Sequence, residues 1–161
     1  MDKFVFLDLE GTVCSLIENQ QYSTTDYGNL PKVRQWLEKE GVTAVGIFSF
    51  AIDNAEERDT FRNSWLRKGL EEQLDVQIFR IVTVEDVKAD IERRKNIRIE
   101  FLWEVKQLYG KEIGFIEHCR ANYKLCECVL LDDMVDNMIL HTEDRRSGNQ
   151  LVIRTVNVDT I

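Results

Sequence analysis

Phe4-Val5-Phe6-Leu7-Asp8-Leu9-Glu10-Gly11-Thr12 is the stretch that decides how this chain is read. Four consecutive apolar residues leave no polar face, which suits a strand buried on both sides, as in a parallel sheet. The run stops at Asp8. Gly11 then permits a close backbone approach at the turn that follows.

Outward from this stretch the same pattern recurs. Val42 to Phe48 is rich in β-formers and ends at Ser49. Val76 to Val82 reads as a third strand. Cys126 to Leu131 reads as a fourth and runs into Asp132-Asp133, and Leu151 to Val158 reads as a fifth. Helical patterns separate them. Pro31 to Glu40 places Val33, Trp36 and Leu37 on one face, with Pro31 in the first turn and Gly41 at the exit. Asp53 or Asn54 caps a long helix to about Glu72, with Phe61, Trp65, Leu66 and Leu70 inward. Helical segments are expected over about 84–94, 98–109 and 113–123, and again over Met134 to Leu140, before a polar turn at Asp144 to Asn149. Strands alternating with helices predict an α/β chain, a Rossmann-like three-layer sandwich with a five-stranded parallel sheet.

Composition narrows the function classes. With 161 residues, the chain suits a single domain over 1–161. Lys plus Arg number 21 and Asp plus Glu 29, for a net charge of −8, which argues against broad nonspecific binding to nucleic acid. No apolar run reaches the roughly 18–20 residues a membrane helix needs, and Met1 to Glu10 lacks the pattern of a secretory signal. Four cysteines without such a signal are expected as free thiols in a reducing, cytoplasmic setting. His118-Cys119 with Cys126-x-Cys128 lacks a standard zinc spacing. Period two puts Cys126 and Cys128 on one strand face, so they read as core or edge thiols.

Three of the expected strands end in residues suited to phosphate and metal chemistry: Asp8 with Glu10 and Thr12, then Ser49, then Asp132 with Asp133. In a parallel α/β sheet the carboxyl ends of the strands share one edge, where ligands sit. Several carboxylates gathered there need a cation among them, and an all-oxygen site favours Mg²⁺.

Phe4 to Val13 resembles the first motif of the haloacid dehalogenase superfamily, a hydrophobic strand running into Asp-x-Asp-Gly-Thr. Ser49 after Val45-Gly46-Ile47-Phe48 is similar to the second motif, and Val129 to Asp133 resembles the fourth in its paired-Asp form. Response-regulator receiver domains gather similar groups, but their paired acids come first. The resemblance covers about residues 3–158. It implies Asp8 as nucleophile and metal ligand, and Glu10 as general acid/base and metal ligand. Thr12 and Ser49 would hydrogen-bond phosphate, and Asp132 or Asp133 would complete the Mg²⁺ site. Residue 10 is Glu where the usual phosphatase pattern has Asp, a form that also occurs in the enolase-phosphatase branch. The family's phosphate-site lysine falls on Lys88 as first choice, with Lys111 and Lys124 as rivals.

Caps in this superfamily select substrates. Here residues 13–30 leave room only for a short flap-like insert, with Tyr22 and Tyr27 as lid aromatics. A minimally capped phosphomonoester hydrolase is the expectation, acting on a nucleotide, a nucleic-acid end or another bulky phosphoester. Arg93-Arg94-Lys95 with Arg98, and Arg145-Arg146, are weak basic clusters that favour nucleic acid only slightly against the overall charge. The alternative is a relative of the same fold with little or no turnover, serving as a binding or regulatory protein.

Overall fold

The computed structural model describes residues 1–14, 29–144 and 149–161. The insert expected over 13–30 falls mostly on 15–28, and Arg145-Arg146 on 145–148; both, with Tyr22 and Tyr27, lie outside the described residues.

The chain runs β1 (Asp2–Leu7), α1 (Leu30–Lys39), β2 (Ala44–Phe48), α2 (Ala55–Arg62), α3 (Trp65–Leu74), β3 (Gln77–Val82) and α4 (Val84–Lys95). A short helix α5 (Leu102–Glu104) leads through a π-helical turn, Val105–Tyr109, into α6 (Gly110–Asn122). Then come β4 (Cys126–Asp132), β5 (Met138–Asp144) and β6 (Asn149–Asn157).

The sheet has six strands in the order β3-β2-β1-β4-β6-β5, all parallel except β5, which pairs antiparallel with β6. This corrects the expectation of five parallel strands. The difference lies at Met134 to Leu140, where the sequence predicts a helix. No helix forms there; Asp133 to Val135 bends, and Met138 onward pairs with β6, Leu140 opposite Ile153 and Thr142 opposite Leu151. Seven ladder pairs outcompete a local helix preference that no buried face supports. The long helix expected to Glu72 is in fact two. Asn54 caps α2 by accepting from Glu57 N–H (3.0 Å), and Ser64 caps α3 by accepting from Arg67 N–H (3.3 Å).

Alternation along each strand feeds two apolar layers. Val5, Leu7, Val45, Ile47, Val129 and Leu131 pack with α1, α2 and α3 on one face. Phe6, Phe48, Cys128 and Leu130 pack with α4 and α6 on the other. Phe6 fits because its β2 neighbour is Gly46, where a methyl would come within 2.5 Å of the ring. Connections out of β1 cover one face, and those into β4 cover the other. The carboxyl ends of β1 and β4 therefore flank a crevice at the point where strand order reverses, the usual ligand position in such sheets.

Among the described residues, no helix is long and apolar enough to cross a membrane.

Candidate functional site

β1 and β4 are paired in register, Leu7 beside Leu131, so Asp8 and Asp132 leave the sheet side by side. Asp8 N–H donates to Leu131 C=O (3.0 Å), which extends the ladder by one bond and holds Asp8 at the edge. The chain then turns sharply. Thr12 and Val13 N–H both donate to Leu9 C=O, and Gly11 N–H donates to Cys14 C=O. Gly11 has φ +80°, and a methyl there would lie 2.1 Å from Asp133 Oδ2. Only glycine allows this backbone angle and this approach together.

Thr12 is fully buried and joins the two loops. Its hydroxyl lies 3.3 Å from Asp8 Oδ2 and accepts from Asp133 N–H at 3.1 Å. The hydroxyl thus bridges the Asp8 carboxylate and the Asp133 amide, and Thr12 is not among the residues lining the cavity. Asp132 Oδ1 accepts from Met134 N–H (2.8 Å), which orients that carboxylate. The carboxylate oxygens of Asp8, Asp132 and Asp133 come within 4.8 Å of one another, the one such cluster of ligand groups among the described residues.

Lys111, at the start of α6, reaches into this cluster. Its Nζ lies 2.6 Å from Asp8 Oδ1 and 3.0 Å from Asp132 Oδ2. Lys88 instead pairs with Glu92 along α4 (3.3 Å), and Lys124 is exposed before the amino end of β4, at the opposite end of that strand from Asp132. Of the three candidate lysines, Lys111 is the one that meets Asp8. Glu112 carries the neighbouring tie, accepting from Asp136 N–H at 2.8 Å and holding the start of α6 against the loop after β4. Asn137 bonds within the same loop region, to Asn157 and Thr160.

Burial pushes the Asp8 carboxyl up to about 7, with Asp132 and Asp133 adding to the rise and Lys111 opposing it. Burial and the neighbouring Asp132 also raise Asp133. For Lys111, burial acts downward, yet Asp8 and Asp132 hold the ammonium above its ordinary value. One ammonium therefore serves two of three crowded carboxylates. Asp132 Oδ2 is buried against the Lys111 ammonium, 3.0 Å away. Three converging carboxylates with one ammonium form an all-oxygen cluster of excess negative charge, which fits a hard divalent cation such as Mg²⁺.

The cluster floors a cavity of about 880 Å³, lined also by Glu10, Gly11, Ser49, Phe50, Ala51, Lys106 and Met134. Ser49 is buried at the end of β2, where its Oγ accepts from Ala51 N–H (3.2 Å). Glu10 stands at the cavity in the turn after β1, where residue 10 bridges to Cys14. Phe50 and Lys106 were not singled out from sequence. Phe50 directly follows Ser49, and its ring lies 5.2 Å from Lys111 Nζ.

The thiols lie elsewhere. All four cysteines are free and buried, and the Cys126 and Cys128 sulfurs are 4.0 Å apart on one strand face. His118 is a core residue whose Nδ1 lies 2.7 Å from Asp90 Oδ2.

Comparison with known proteins returned no matching family model, no matching curated protein and no matching solved structure.

Proposed function

We propose that this chain is a Mg²⁺-dependent phosphomonoester hydrolase of the haloacid dehalogenase type, working through an aspartyl-phosphate. The observation that carries the reading is the meeting of Asp8, Asp132 and Asp133 with Lys111 at the floor of one open cavity. Lone acids at strand ends are common. Three converging carboxylates with a buried ammonium between two of them are a costly arrangement, and function is the usual reason such costs persist.

Asp8, Asp132 and Asp133, with the carbonyl of residue 10, would hold the cation. Bound Mg²⁺ would neutralise charge on the phosphoryl oxygens. One Asp8 oxygen attacks phosphorus, and the bond from phosphorus to the ester oxygen breaks. Glu10 gives its proton to the departing alkoxide. Glu10 then takes a proton from water as that water attacks the aspartyl-phosphate, releasing inorganic phosphate and restoring the Asp8 carboxylate. Lys111 fixes the nucleophile and balances phosphoryl charge. Ser49 presents its hydroxyl to a phosphate oxygen, and Thr12 positions Asp8 against Asp133.

The test is hydrolysis of an aryl phosphate with Mg²⁺, repeated with Asp8→Asn and Glu10→Gln. Turnover that needs Mg²⁺ and vanishes in Asp8→Asn supports the assignment, as does a phosphorylated Asp8 accumulating in Glu10→Gln. Activity that survives Asp8→Asn overturns the mechanism. Mg²⁺ binding without turnover across a broad phosphoester panel would instead favour a binding or regulatory role.

A further inference from the structure

Two lysines line the cavity, and they have different work. Lys111 is committed to Asp8 and Asp132. Lys106 stands on the wall and pairs with Asp53 Oδ1 at 2.6 Å. In an uninterrupted α-helix, residues five apart point about 140° away from each other. Here the π-helical turn Val105–Tyr109 and Gly110, at φ +82°, break that register, and both side chains reach the same cavity. Turns of this kind often mark functional positions.

Asp53 belongs to the segment after β2 that also carries Ser49 and Phe50. Its N–H faces Glu57 Oε2 (3.4 Å), and its C=O accepts from Glu85 N–H (3.0 Å). It is therefore a fixed anchor for Lys106. An ammonium has three donors, and Asp53 occupies one side of it. The Lys106 side chain keeps about a third of its exposure and stays open to solvent beside Asp53.

Charge gives that exposure a purpose. Four carboxylates line the cavity: Asp8, Glu10, Asp132 and Asp133. With Glu10 protonated as the acid, one divalent ion and Lys111 balance the charges of Asp8, Asp132 and Asp133. A single phosphate is held at the floor, by the metal and Lys111. A further anionic group would find Lys106 the one other cationic side chain lining the cavity among the described residues.

We propose that Lys106 receives a second anionic group of the substrate, a phosphate or carboxylate remote from the scissile ester, so that the site prefers phosphomonoesters bearing two anionic groups. This rests on the hydrolase reading above and adds a substrate class to it. Phe50 supplies apolar wall in the same cavity, its ring 5.2 Å from Lys111 Nζ.

The experiment compares kcat/KM for a simple alkyl phosphate, the matching carboxyalkyl phosphates and the matching alkanediol bisphosphates, all with Mg²⁺. The wild type should favour one or both two-anion series by about tenfold, mainly through KM, and that preference should shrink as salt screens it. Whichever series shows it identifies the second group. Lys106→Met should bring the ratio close to one, and Lys106→Arg should keep it. Lys106→Met combined with Asp53→Asn guards against a stranded carboxylate and should lose the preference equally. A merely structural Lys106 would change all substrates alike and leave the ratio intact, which overturns the proposal. Hydrolysis of the alkyl phosphate with no wild-type preference also overturns it while sparing the hydrolase reading. If no ester is turned over at all, both fall together.

Discussion

Lys111 Nζ lies 2.6 Å from Asp8 Oδ1, although 103 positions separate the two residues. The contact joins the carboxyl end of the first strand to the start of the last helix before β4. It is also the point where charge balance and proposed chemistry coincide, because the same ammonium lies 3.0 Å from Asp132.

Removing that ammonium should therefore act twice. Lys111→Met leaves buried carboxylates facing each other. Breaking a buried ion pair by deleting one partner typically costs about 3–5 kcal/mol. We expect a clear fall in melting temperature without metal, partly restored by Mg²⁺, and a loss of turnover of about a hundredfold or more. Lys88→Met, which breaks only a half-buried pair with Glu92 along α4, should leave turnover within about twofold and stability within about 1 kcal/mol. Thermal melts and phosphate-release assays on both variants decide between the two lysines.

The Asp8 carboxyl makes the metal-free protein sensitive to pH. Burial raises it from 3.8 to about 7 in the folded state. The folded state then holds more protons than the unfolded one between those values. Stability from this group is complete below pH 4 and is lost as pH rises toward 7. Asp133, raised in the same direction, adds to the trend. Asp8→Asn should flatten this part of the curve and melt higher than wild type at neutral pH without metal. Denaturant titrations from pH 4 to 8 check it; equal slopes for the two proteins would contradict the burial argument.

Gly11 and Gly110 form a matched pair for separating strain from contact. Both have positive φ, +80° and +82°. A methyl at Gly110 meets nothing within 4 Å, whereas at Gly11 it meets Asp133 Oδ2 at 2.1 Å. Gly110→Ala should cost about 1 kcal/mol of backbone strain. Gly11→Ala should cost more, on the order of 2–3 kcal/mol, and should also weaken Mg²⁺ binding by displacing Asp133. Calorimetric Mg²⁺ titration of both variants reads the difference.

Thr12 tests the bridge between the two loops. Thr12→Val removes the hydroxyl that approaches Asp8 and accepts from Asp133 N–H. It leaves that amide unpaired at a cost of about 1–3 kcal/mol. We expect kcat to fall about tenfold with KM little changed, and Thr12→Ser to restore it. A large rise in KM with kcat intact would return Thr12 to the direct phosphate contact expected from sequence.

Much of the architecture was legible because its signals are local. Phe4 to Leu7 must be buried on both faces, and Asn54 and the Pro31 turn mark helix starts that the chain honours. The segment after Asp133 was not legible. Its apolar residues suited a short helix, and what made Met138 to Asp144 a strand was the free edge of β6, a partner that follows it in sequence. The long helix to Glu72 broke because Ser64 could cap a new start, a competition that periodicity alone does not reveal.

The same division holds at the site. By itself the sequence determined which residues end the strands, and hence that Asp8, Ser49, Asp132 and Asp133 share one edge of a parallel sheet. Strand direction and side-chain chemistry are enough for that. Tertiary structure alone decided that Lys111 rather than Lys88 meets Asp8, that Thr12 bridges the two loops, and that Lys106 shares the cavity. These depend on how α4 and α6 pack on the sheet and on a π-helical turn that shifts register by a fraction of a turn. Such packing is a balance of many weak contacts across the whole chain, and no single stretch of residues encodes it.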